Sequence, residues 1–178
     1  MRLLSTLLVA LVLATTSPLR AQEQPQNSYR PISGLNFTVG QPVPDFLGPT
    51  NLASFRGKPL LINFYSAYCP PCIREIPKLN ALMQLNPELQ VLAITPDPPE
   101  DAIAYAKQRH LAWPIATPGQ DYLFNTLGIK AFPTFAILDA NGNLVSATYG
   151  NQLGGEDGHA TLAGIAEWLE SSLAIKIR

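Results

Sequence analysis

The chain has 178 residues, 12 basic against 13 acidic, a net charge near −1 and only two cysteines. Scattered basic residues in a nearly neutral chain exclude a nucleic-acid stripe and a polybasic membrane patch, which leaves proteins or small molecules as partners. Two cysteines are too few for the disulfide framework of very small secreted domains, and a chain of this length can build a core without one.

The chain opens MRLLSTLLVALVLA, one early positive charge ahead of an apolar run of signal-sequence length. The run falls short of the roughly 20 apolar residues that span a bilayer. Residues 1–21 are read as a secretory signal peptide with Ala21 as the last residue removed, or, because Leu19 fits an A-x-A site poorly, as a short uncleaved N-terminal anchor. Both readings export the body. No cysteine lies near the signal to take a lipid. Residues 22–34 are polar and proline-bearing, a linker, and residues 35–178, about 145 of them, make one domain.

Residues 60–67 (LLINFYSA) form an apolar, aromatic run that predicts a central buried strand. From Pro71 the apolar residues Ile73, Ile76, Leu79, Leu82 and Met83 recur at three and four, an amphipathic helix that stops near Asn86 and Pro87. VLAIT (91–95) predicts a second buried strand, the Pro-Asp-Pro-Pro stretch a turn, and residues 100–109 a second helix. Residues 121–127 give a short helix, PTFAILD (133–139) a strand, ANGN a hairpin turn and LVSATY (144–149) its antiparallel partner. A Gly-rich loop over 150–158 leads to a closing helix from about Ala160 to Leu173. This order predicts an α/β sheet, mainly parallel in its centre with an antiparallel edge, covered on both faces.

The two cysteines, Cys69 and Cys72, sit at the first strand-to-helix junction in FYSAYCPPCIREIP. Positions i and i+3 at a helix start lie about 5 to 6 Å apart, inside the window of a disulfide, so the pair can open and close with little backbone movement. A structural cystine competes with this reading, but a ring this small stabilises by only about 2 kcal/mol. Half of a zinc site also competes, although His110 and His159 are the only histidines and a second cysteine pair is missing. Proline at the first helical positions starts the helix and stiffens the ring while donating no N–H. The amides from Cys72 onward and the helix dipole therefore remain to stabilise a Cys69 thiolate. Moderate acidification of this kind favours a reductase over a disulfide-inserting oxidant.

VGQPVPDF (39–46), SFRGKPLLINFYSAYCPPC, CIREIP and GIKAFPTFAILDANG occur in order, and together they resemble the exported TlpA/ResA-type thiol-disulfide oxidoreductases of the thioredoxin superfamily. The resemblance implies a thioredoxin-like fold, a central mixed sheet with helices on both faces. It implies exchange through Cys69 and Cys72 with no cofactor beyond that pair, and Glu75 as a buried acid that shuttles protons. Pro133 matches the family's cis-proline, beside which the Phe132 backbone would pair with an extended substrate. Tyr68 takes the place of the usual Trp before the first cysteine, at the substrate surface, and Asn63 stands where thioredoxin has its buried aspartate. Residues 46–56 are too few for the family's full N-terminal hairpin. The location implied is the periplasm or the extracytoplasmic face of the membrane. The partners implied are extracytoplasmic protein thiols or disulfides and a membrane thiol electron donor. The sequence does not name the substrate, whether apocytochrome c, a copper-site protein or another exported thiol protein. A similar entry segment occurs in peroxiredoxins, but Ile62 stands where their peroxidatic motif needs a proline. A metal-binding copper chaperone of the same fold and a redox-inactive adaptor are the alternatives, and copper titration of the reduced protein separates the first from an enzyme.

Overall fold

In the computed structural model, residues 29, 32–154 and 159–178 are described. The signal or anchor, almost all of the linker and the middle of the Gly-rich loop lie outside the described residues. β1 (Leu60–Phe64) is buried along its whole length, as its apolar run requires. It lies third in a five-stranded sheet of order β3-β2-β1-β4-β5, with β2 at Gln90–Ile94, β3 at Ile115–Ala116, β4 at Thr134–Leu138 and β5 at Leu144–Tyr149. β1 pairs in parallel with β2, and β2 with β3. On the other side β1 pairs antiparallel with β4, and β4 with β5.

The antiparallel part is therefore larger than the edge expected from the sequence, since β4 itself runs against the central strand. A parallel return would need another end-to-end crossing, usually by a helix. Residues 117–133 hold one short π-helical turn, Tyr122–Thr126. The two-residue β3 also went unread, because a strand this short beside Pro114 has no alternation to detect.

Three helices follow the strands: α1 (Pro70–Leu85), α2 (Pro99–Arg109) and α3 (Leu162–Leu173). The steps β1-α1-β2 and β2-α2-β3 advance in the same direction across the sheet, so right-handed crossovers place both helices on one face. Side-chain packing agrees. Leu61, Tyr65, Val91, Ala93, Phe135 and Ile137 join Cys72, Ile76 and Leu79 of α1, Tyr105 of α2 and Trp168 of α3 in one core. The alternate residues Leu60, Ile62, Phe64, Leu92 and Ile94 form the second core. That face is covered by Phe37, Val43, the π-helical turn and a 3-10 turn at Leu52–Phe55. Helical segments thus lie on both faces, the long ones on one and the short turns on the other. Ahead of the 3-10 turn, Gly40 and Val43 donate to the carbonyls of Leu144 and Gly142, so this stretch borders the start of β5.

Candidate active site

Cys69 is the N-cap of α1, and Pro70 and Pro71 fill the first helical positions. Neither proline has an N–H, so the first amide to reach the sulfur belongs to Cys72, which donates to Cys69 Sγ at 3.3 Å. Cys69 and Cys72 are joined as a disulfide with a Cα separation of 5.3 Å. Their environments differ: Cys72 is 3% exposed and belongs to the core, whereas Cys69 is half-buried at the helix tip. The same Cys72 amide and the positive end of α1 would face a thiolate on Cys69 after reduction.

Glu75 lies one helical turn beyond Cys72, on the side of α1 that faces inward, and is 1% exposed. Neither carboxyl oxygen accepts a hydrogen bond among the described residues. Burial drives its pKa up to about 8, against smaller downward pulls from the backbone of Ala160 and the Lys78 ammonium. The Ala160 pull acts without hydrogen-bond geometry, since no bond to the carboxyl forms. Lys78 is held in place by donating to the Ala160 carbonyl. An acid poised near 8 matches a thiol near 8.5, so proton transfer between them is close to balanced. Asn63, the neutral residue on β1, is buried, and its amide nitrogen has no hydrogen-bond partner among the described residues.

The Phe132–Pro133 peptide is cis. Pro71, Glu75, Phe132, Pro133, Tyr149 and His159 line a cleft of about 220 Å³ beside the cysteine turn. Structure thus brings Glu75, Phe132 and Pro133 to one cavity, while Tyr68, 86% exposed, stands outside it next to Cys69. Phe124 extends this apolar rim, 42% exposed with its ring 6.3 Å from Phe132. A larger cavity of about 500 Å³, between Lys58, Leu85 and Ile175, holds none of these residues.

His159 and Gly150 are among the residues at the cleft that the sequence did not assign to the site. His159 reads there as an ordinary helix-end residue, yet it lines the cleft. Gly150 reads as the start of a loop, yet its N–H donates to the Pro133 carbonyl at 2.9 Å. A β-carbon on it would lie 2.5 Å from Glu75 Oε1 and 2.7 Å from Pro133 Cγ. Nothing local distinguishes it from the chain's other glycines, because its constraint comes from α1 and from the residue before β4. Among the described residues no three His, Cys, Asp or Glu side chains gather where they could hold a metal ion.

A redox-capable cysteine pair at a helix tip, a buried acid one turn on and a cis-proline opposite make a site with the chemistry for thiol-disulfide exchange on a thioredoxin-like fold. The chain belongs to the Redoxin family, whose profile matches residues 38–162. Thiol-disulfide oxidoreductase ResA of Geobacillus thermodenitrificans is 30% identical over 115 residues, 60% of this chain and 66% of that protein, slightly under two thirds of its length. ResA of Bacillus thuringiensis subsp. konkukian is 29% identical over 123 residues, 64% of this chain and 71% of that protein. In fold, the chain is similar to a thiol:disulfide interchange protein DsbE from Chlorobium tepidum, with TM-score 0.64 and 21% identity over 78% of this chain and 97% of the other.

Proposed function

We propose that the protein reduces disulfides in exported proteins, with Cys69 as the attacking sulfur. The observation that carries this reading is the asymmetry of the pair, an accessible Cys69 that receives the Cys72 amide against a core-buried Cys72 close to Glu75. The Cys69 thiolate attacks one sulfur of a client disulfide, forming a mixed disulfide and releasing the other client sulfur as a thiolate. Glu75 gives its proton to that departing thiolate and, left ionised, takes the Cys72 proton. Cys72 then attacks Cys69 Sγ, which restores the Cys69–Cys72 disulfide and frees the second client thiol. Two electrons pass to the client, and a dithiol donor at the membrane returns them. The backbone at Phe132 and the rings of Tyr68 and Phe124 receive an extended client segment. Export rests on the signal-like residues 1–21 and places the work in the periplasm or at the outer face of the membrane; apocytochrome c maturation is one use that fits it.

Replacing Cys72 with Ser removes the resolving step and leaves clients covalently held on Cys69. Expressing that variant in a cell envelope and identifying the adducts tests the assignment, together with insulin reduction by the wild type in dithiothreitol. Capture by Cys69→Ser instead of Cys72→Ser reverses the order of the sulfurs. A reduction potential near that of strong periplasmic oxidants, about −120 mV, reverses the direction of the reaction.

A further inference from the structure

We propose that Asp97 is a positioning residue for the exchange reaction, its carboxylate fixing the turn that carries Cys69. The inference deepens the reading of Cys69 as the attacking sulfur and rests on it. Between the end of β1 and Cys69 lie Tyr65, Ser66, Ala67 and Tyr68, and the backbone alone secures only the two ends of this link. Tyr65 N–H donates to the Ile94 carbonyl at 3.1 Å, and Cys69 N–H closes a turn onto the Ser66 carbonyl at 3.1 Å. The middle is tied by one side chain from a different loop. Ala67 N–H donates to Asp97 Oδ2 at 2.7 Å, and Ser66 Oγ lies 3.4 Å from Asp97 Oδ1.

Asp97 is itself held. Thr95 Oγ donates to Asp97 Oδ2 at 2.7 Å and accepts from Asp97 N–H at 3.2 Å, a reciprocal pair that fixes both backbone and rotamer. The flanking residues Pro96, Pro98 and Pro99 have restricted φ and no N–H, so Asp97 supplies the only backbone donor across 96–99. The Pro-Asp-Pro-Pro stretch, read from the sequence as a simple turn, is therefore a rigid mount for one carboxylate. Tyr65 and Tyr105 stack beside it with ring centroids 5.1 Å apart, and its negative charge helps to raise both phenol pKa values after burial, which places the carboxylate close to the buried pair. Arg109 is the cation that acts on Tyr105 in the opposite sense.

A charge-assisted bond to Ala67 N–H is stronger than a neutral one, and the link it restrains sets where Cys69 Sγ stands relative to Cys72 and the cleft. Displacement of a reacting atom by about 1 Å costs on the order of a hundredfold in rate, so a modest loosening of the turn is enough to be seen. In Asp97→Asn the amide oxygen can still accept from Ala67 and Thr95. In Asp97→Ala nothing accepts.

The test compares Asp97→Ala, Asp97→Asn and Thr95→Val in the full chain, by insulin reduction, by the pH profile of Cys69 alkylation in a Cys72→Ser background, and by thermal unfolding. Asp97→Ala is expected to lose about tenfold or more in kcat/KM with an altered alkylation profile, and Asp97→Asn to recover most of the loss. Thr95→Val, which frees the carboxylate without removing it, is expected to fall between the wild type and Asp97→Ala, and decides the matter with Asp97→Asn if Asp97→Ala does not fold. Wild-type behaviour in Asp97→Ala, or in Thr95→Val, overturns the proposal. So does an Asp97→Asn variant as slow as Asp97→Ala, since the charge and not the mount would then be what acts. If the wild type reduces no insulin, the assigned activity falls, while the alkylation profiles still decide the role of Asp97.

Discussion

Glu75 is a carboxyl that the fold keeps protonated at neutral pH, since burial lifts its pKa to about 8. In that state it supplies a proton to a departing thiolate, and above pH 8 it accepts one from Cys72. Glu75→Gln can do neither, so exchange should slow by about a hundredfold and lose its pH dependence near 8, measured as insulin reduction from pH 6 to 9. Retention of the wild-type profile would mean that Glu75 has no part in proton transfer. Gly150→Ala approaches the same acid from the other side, because its β-carbon would meet both Glu75 Oε1 and the rigid Pro133 ring. We expect a stability loss of about 1 to 3 kcal/mol, as for other overpacked sites, and a displaced pH profile of exchange. Unchanged values for both would show that the cleft has slack there. Glu75 was legible in the sequence through the family resemblance of CIREIP; Gly150 was not, because its two neighbours lie 75 and 17 residues away.

At the scale of elements, the long apolar segments announced themselves. β1 and α1 carry their own periodicities, and the CPPC turn follows from two prolines that cannot continue a strand ladder but can open a helix. Where an element depends on a partner, the sequence was silent, as for β3, which exists through its pairing with Ala93 and Ile94. Boundaries moved for a similar reason. The closing helix starts at Leu162, after Thr161, whose hydroxyl accepts from Gly164 N–H at 3.0 Å and lies 3.3 Å from the Leu153 carbonyl. Thr161→Ala removes that cap and should cost about 1 kcal/mol, seen as a fall of about 2 to 4 °C in thermal midpoint. A midpoint unchanged within error would show that water replaces the hydroxyl at no cost.

For the whole molecule, the buried acid ties stability to pH. Unfolded, Glu75 titrates near the ordinary 4.5; folded, it titrates at about 8. Between those values the folded chain holds a proton that the unfolded chain has released, so stability should fall as pH rises through this window and level off above it. Urea unfolding of the oxidised protein at pH 5 and pH 8 measures the difference, and Glu75→Gln should remove most of it. An equal slope in that variant would assign the effect to other groups. Burial of this acid is a property of the assembled molecule. α1 presents the carboxyl to the cleft that His159 also lines, the Ala160 backbone lies beside it, and Lys78 ties α1 to Ala160.

By itself the sequence determined what depends on neighbours along the chain: strand and helix periods, the redox spacing of Cys69 and Cys72, and the proline-stiffened helix start. The order of motifs was enough for the family resemblance. Only the tertiary structure decided what depends on groups far apart in the chain. It placed β4 antiparallel to β1, brought His159 and Gly150 to the Glu75 cleft, and set Asp97 under the turn before Cys69. The physical reason is range. Backbone propensity and hydrophobic period act over a few residues and leave a signature in them. A pKa shift by burial, a steric limit on a β-carbon or a carboxylate reaching across 30 residues arises only when the packed sheet and helices bring the distant partners together.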